Sequence, residues 1–165
     1  MNKSDQHNIS LLVNNKPGVL IRIALVFARR GYNIDSCVVS PANDKKYSRM
    51  TITASGDIKT LDQIIKQLNK VIDVIHAMDH TGEVVVEREL ALIKLNADKK
   101  NRTEILQISD HFKCNSIDLS SSTITLECTG NTDKLDALLE ILEPYGILEM
   151  VRTGKILMAR GRSET

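Results

Sequence analysis

Asn15-Lys16-Pro17-Gly18-Val19-Leu20, followed a short way on by Gly31-Tyr32-Asn33-Ile34-Asp35-Ser36, is the stretch on which the fold turns. Upstream, Ile9-Ser10-Leu11-Leu12-Val13 is an apolar run suited to a strand, and Pro17-Gly18 breaks it. Beyond the break, Leu20, Ile23, Ala24 and Phe27 recur at helical spacing. Strand, tight turn and helix in this order deliver Gly18 to a helix start. Backbone N–H groups there lack intrahelical partners, and the helix dipole favours a carboxylate or phosphate. Without a Cβ, Gly18 lets such a ligand approach the backbone closely. The pattern predicts a turn that senses a small anion. Gly31 is expected to close the helix as its C-cap.

Outward from this stretch the elements repeat. Asn33 to Ser40 and Tyr47 to Ala54 predict a hairpin joined by the turn from Pro41 to Lys46. Gly56-Asp57 offers a cap for a helix with Leu61, Ile64, Ile65 and Leu68 inward, and Val71 to Met78 is expected as a further strand. From Thr81-Gly82 the order begins again, with a strand over Val84 to Asn96. A helix follows, capped by Asn101 with Glu104 and carrying Ile105, Ile108 and Phe112. Ser116 to Leu119 and Thr123 to Cys128 form a second hairpin, and Asn131 caps a helix bearing Leu135, Leu138, Leu139 and Leu142. Pro144 and Gly146 end that helix. Ile147 to Val151 is the last strand, resuming at Ile156 to Met158. The expected fold class is therefore α+β: two tandem ferredoxin-like βαββαβ modules over residues 1–80 and 81–165, the second the smaller.

Modules of this size bury only about 60% of their unfolded surface, and with no Trp, two Phe and three Tyr there is little aromatic area to add. Self-association through an open sheet edge is the expected remedy. At 165 residues, 42% hydrophobic and 26% charged, the composition is that of a globular chain. A net charge of +1 gives no basic patch for nucleic acid or an anionic membrane surface, and Lys99-Lys100-Asn101-Arg102 is the densest cationic cluster. Residues 1–8 are polar and lack the apolar core of a signal peptide, and Ala24-Leu25-Val26-Phe27-Ala28 is far shorter than the roughly 20 residues of a span. A cytoplasmic chain is expected, with no nucleic-acid or membrane partner.

Cys37, Cys114 and Cys128 show no CxxC pair and no framework spacing, so reduced, buried thiols are expected. His76 with His80, and His111 with Cys114, have spacings that suit zinc, but no second ligand pair completes a site, and none is assigned. Asp57, Asp62, Asp73 and Asp79 are scattered without an acid–base partner, and no nucleophile elbow is present. An RNA platform would need aromatics on central strands. A catalytic residue is not expected.

Ile9 to Val13, Asn15 to Leu20, Phe27 and Gly31-Tyr32-Asn33-Ile34 together resemble an ACT domain, an amino-acid-binding βαββαβ module. With Ser48-Arg49-Met50-Thr51-Ile52, Gln67-Leu68-Asn69-Lys70, Val86-Glu87-Arg88-Glu89-Leu90 and Arg152-Thr153-Gly154, the chain from about residue 8 to about residue 161 resembles the small regulatory subunits of acetolactate synthase, also called acetohydroxyacid synthase. The resemblance implies a non-catalytic subunit that activates a separate catalytic large subunit and confers feedback inhibition by valine in branched-chain amino acid biosynthesis. Thiamin diphosphate, Mg and FAD would belong to that partner, with no cofactor in this chain. It further implies a homodimer through the ACT domains with valine at the joint, Asn15, Gly18 and Asn33 at the effector and Pro17, Val19, Leu20 and Ile34 around it. Pro17 and Ile21 follow the general ACT pattern, so leucine and isoleucine stand as competing effectors. The wider alternative is an ACT-type amino-acid sensor serving a different enzyme. Asn96 to Arg102, rich in Lys and Asp, and Phe112-Lys113-Cys114-Asn115 depart from the family pattern that the resemblance suggests.

Overall fold

The computed structural model describes residues 6–161 and Thr165, so residues 1–5 of the polar opening lie outside the described residues. The elements run β1 (Gln6–Asn14), α1 (Val19–Ala28), β2 (Asn33–Pro41), β3 (Tyr47–Ser55), α2 (Ile58–Leu68) and β4 (Val74–Asp79). They continue with β5 (Val86–Asn96), α3 (Arg102–His111), β6 (Asn115–Leu119), β7 (Thr123–Gly130), α4 (Thr132–Leu142), β8 (Ile147–Arg152) and β9 (Ile156–Met158). The first sheet has the order β2-β3-β1-β4 and the second β6-β7-β5-β8, with every neighbouring pair antiparallel. Both are the α+β, ferredoxin-like arrangement expected from the repeated element order.

Each sheet buries one face under its helices, and the strand period of two selects the residues that go in. In the first, Ile9, Leu11 and Val13 of β1 and Met50, Ile52 and Ala54 of β3 meet Ile23 and Phe27 of α1 and Leu61, Ile64 and Leu68 of α2. In the second, Ala91, Ile93 and Leu95 of β5 and Ile124, Leu126 and Cys128 of β7 meet Ile105, Leu135, Leu138 and Leu142. The two cores are separate. The compact units are Met1–Val86 with Lys155–Thr165, and Glu87–Gly154.

The break falls past the Thr81-Gly82 turn because that turn is tied back to β1. His80 N–H donates to the Asn8 carbonyl at 2.8 Å, Asn8 N–H donates to Thr81 Oγ1 at 3.3 Å, and the ring Nε2 of buried His80 lies 2.8 Å from Ser10 Oγ. His80 Nδ1 meets Glu83 Oε2 at 2.7 Å, so this histidine braces a turn.

Two helix starts form as expected, and a third differs. The Asp57 carboxylate accepts from Thr60 N–H at 2.9 Å, and the Thr60 side chain, then this amide, hold its carboxyl below the ordinary range. Asn131 Oδ1 accepts from Lys134 N–H at 3.1 Å. Asn131→Ala should therefore destabilise the second unit by about 1 kcal/mol, measured by chemical unfolding, since the orphan amide at the helix start loses its partner. Asn101 precedes α3 without a side-chain cap. Asp98 does the local work instead, its Oδ1 accepting Lys100 N–H at 2.8 Å and Asn101 N–H at 3.1 Å.

The strand expected from Val71 begins only at Val74. Lys70 and Val71 are spent closing α2, with Val71 N–H on the Leu68 carbonyl at 3.0 Å, and Asn69 clips this turn to Ala77 through bonds of 3.0 and 3.1 Å. Cys37 corrects the expectation of three buried thiols. It lies exposed on β2, an edge strand with no neighbour on one side, whereas Cys114 and Cys128 are buried.

Candidate effector site

Gly18 stands at the N-cap of α1 with φ +82°, a left-handed conformation that glycine adopts at least cost. A Cβ built there would meet nothing within 4 Å, so the position opens outward. The first helical bond runs from Arg22 N–H to the Gly18 carbonyl at 3.2 Å, which puts the amides of Leu20 and Ile21 ahead of the ladder. No acidic side chain occupies the first turn to compete for them. Amides left free at a helix start have the chemistry to hold one small anion.

Neighbouring bonds hold the turn rigid. Asn15 N–H donates to the Lys46 carbonyl at 2.8 Å and Asn15 Nδ2 to the Lys45 carbonyl at 3.1 Å, joining the turn to the β2–β3 hairpin. On its other flank, Asn14 N–H donates to the Asp73 carbonyl at 2.8 Å, and Asp73 Oδ2 pairs with Arg22 at 2.6 Å. Sequence reasoning missed this Arg22–Asp73 latch, because Asp73 fell inside the strand expected from Val71 and signalled nothing by itself. Of the apolar residues, Val19 is buried in the core, while Leu20 is 49% exposed beside the turn. Pro17 is exposed with Asn15.

Asn33 and Ile34 are elsewhere in the same unit. Asn14 pairs with Tyr47 and Gln6 with Ser55, and Asn33 also pairs with Ser55. The Gly18 turn thus follows one end of the sheet and Asn33 opens the other, about 25 Å away by strand rise. At that end Asn33 Nδ2 donates to Asp35 Oδ1 at 2.8 Å, and half-buried Ile34 packs against the core. One copy of the chain does not gather the expected residues.

What lies between the two ends is an open edge. β2 has β3 on one side only, Cys37 and Val39 along it are exposed, and α1 presents Leu20, Ile21 and Leu25 at 49%, 66% and 45% exposure. An unpaired strand beside uncovered aliphatic side chains is a surface suited to a second strand.

The second unit contains a buried ionic cluster. The Glu89 side chain is only 5% exposed, and its carboxylate receives Arg152 Nε at 3.0 Å and Nη2 at 2.5 Å. Arg152 Nη1 reaches Asp136 Oδ1 at 2.7 Å, and Thr132 Oγ1 donates to Glu89 at 2.5 Å. Burial opposes the guanidinium charge, but the bonds to Asp136 and Glu89 outweigh it and raise Arg152 above its ordinary value. These residues join β5, β8 and α4. Among the described residues no three or more His, Cys, Asp or Glu side chains are grouped to hold a metal ion, and no helix is long and apolar enough to cross a membrane.

Two family models match the chain: one described as the AHAS small subunit-like ACT domain over residues 9–76, the other as the small subunit of acetolactate synthase over residues 88–161. The acetolactate synthase small subunit of Mycobacterium bovis is 47% identical over 155 residues, covering 94% of this chain and 92% of its own length. The probable acetolactate synthase small subunit of Archaeoglobus fulgidus is 44% identical, with 96% and 99% covered. Among solved structures, the acetolactate synthase small subunit of Thermotoga maritima superposes with a TM-score of 0.85 at 38% identity, covering 96% of this chain and 99% of that one.

Proposed function

This chain belongs to the family of acetolactate synthase small subunits, and from that premise we propose that it is a regulatory subunit whose first unit binds valine and whose presence activates a separate catalytic large subunit. The observation that carries the effector reading is the placement of Gly18 and Asn33 at opposite ends of one sheet, with an open β2 edge between them. β2 runs parallel to β1. A two-fold axis that pairs β2 with the β2 of a second copy, antiparallel, sets the Asn33 end of one copy beside the Gly18 end of the other.

Such a dimer would complete two identical sites. In each, amides at the start of α1 take the ligand carboxylate, and Asn15 and Asn33 supply polar contacts from the two copies through their free carbonyl oxygens. Leu20 and Ile34 offer aliphatic walls suited to an isopropyl group. The chemistry of condensing pyruvate stays with the large subunit, which would hold thiamin diphosphate, Mg and FAD in the cytoplasm. Valine acts by preferring one dimer arrangement over another, since a ligand shifts an equilibrium only through differential affinity.

Val39→Lys tests the joint. A charge on the edge strand blocks pairing with a second edge. The variant should sediment as a monomer with native circular dichroism and bind valine at least ten times more weakly in calorimetry. A monomer that binds valine as tightly as the parent would remove the shared site.

A further inference from the structure

Phe112-Lys113-Cys114-Asn115 has an ordered role in the second unit. Asn115 pairs with Glu127 and Ser116 with Leu126, so the same antiparallel register continued one step back, just ahead of β6, sets Cys114 against Cys128. Directly opposed residues point to the same face with Cβ atoms about 4.5–5.5 Å apart, close to the range a disulfide needs. Both thiols are buried in the same core, and the Cys128 Sγ lies 4.0 Å from the Phe112 carbonyl, two residues ahead of Cys114. The backbone is held to deliver Cys114 there. Lys113 adopts φ +56°, the sole positive value at a residue other than glycine among the described residues, and turns the chain sharply after α3. Cys114 N–H then donates to the Ser109 carbonyl at 2.8 Å, and Ser109 Oγ donates back to the Cys114 carbonyl at 3.2 Å.

We propose that Cys114 and Cys128 are a redox pair that a small peroxide converts to a cross-strand disulfide, locking the α3–β6 turn to β7. The thiolate of one cysteine attacks a peroxide oxygen, the O–O bond breaks, and the released hydroxide takes up a proton as water. The sulfenic acid so formed is attacked by the second sulfur as thiolate; the S–S bond forms, the S–O bond breaks, and a second water leaves. Two thiols are oxidised and one hydrogen peroxide is reduced. Burial first, and then the neighbouring Cys128, push the Cys114 thiol up to about 12, so its thiolate is scarce at neutral pH and closure is slow.

The test uses the full chain carrying C37S, which removes the exposed thiol and its intermolecular chemistry. After hydrogen peroxide treatment at pH 8.5, alkylation under denaturing conditions and intact mass should show both remaining thiols lost together with a mass decrease of about 2 Da, reversed by dithiothreitol. The closed form should melt at least about 5 °C higher than the reduced form, because a loop is closed in the unfolded chain. Peptide mapping of the oxidised parent chain, with no core substitution, should recover the Cys114–Cys128 crosslink. Two free thiols after treatment, oxygen adducts without the 2 Da loss, or a crosslink that always involves Cys37 would overturn the proposal.

Discussion

Gly18→Asp should abolish the response to valine and leave activation of the catalytic subunit largely intact. The position is open to solvent, and aspartate is among the residues that tolerate a left-handed backbone, so the fold should survive. What changes is the charge. The new carboxylate sits where the ligand carboxylate would meet the amides of Leu20 and Ile21, and like charges compete for one cradle. A ligand as small as valine has only about −4 to −6 kcal/mol to bind with, which is millimolar to tens of micromolar. Losing its carboxylate contacts removes most of that. The inhibition midpoint should rise by a factor of about 100 or more, whereas Gly18→Ala, with no charge, should shift it less. Calorimetry that finds parental valine affinity in Gly18→Asp would remove this turn from the site.

The second large effect concerns stability. Arg152→Met should destabilise the second unit by about 3–5 kcal/mol, because it leaves the Glu89 carboxylate buried with its cationic partner gone. Thr132 still donates one hydrogen bond, which does not replace a guanidinium fork. Asp136, about half exposed, recovers its hydration and adds little. Glu89→Met combined with Arg152→Met should regain most of the loss, since an apolar pair carries no unpaired charge. Urea unfolding of the three variants measures this directly. Equal destabilisation in the single and double variants would show that packing, and not the buried charge, dominates.

Most of the fold was legible because both units obey local rules. Alternation in Ile9 to Val13, the heptad-like spacing of Leu61, Ile64 and Leu68, and the caps at Asp57 and Asn131 each depend on neighbours within a few residues. The misjudged points depend on longer reach. Val71 is β-branched and apolar, yet it closes α2, because Asn69 bonds forward to Ala77 across the turn. Asn101 has the side chain of a cap but makes no cap bond, and Asp98 instead takes the amides of Lys100 and Asn101 just ahead of α3. Cys37 lies among apolar neighbours, and only the strand order reveals that β2 is an edge.

The candidate site was legible in part for the same reason. Gly18 at a helix start is local, and the structure places it there with the left-handed backbone that glycine suits. The separation of Asn33 from Gly18 follows from strand register, which sequence spacing does not carry. Arg22–Asp73 and Glu89–Arg152 join residues far apart in the chain, and no short pattern announces either pair.

The most direct measurement is acetolactate formation by the catalytic subunit of the same organism, with and without this protein, across a valine titration. Activity that rises when the protein is added and then falls as valine increases is the predicted result. A catalytic subunit whose activity is the same with and without the protein, at every valine concentration, would contradict the regulatory assignment and leave an amino-acid sensor serving another enzyme.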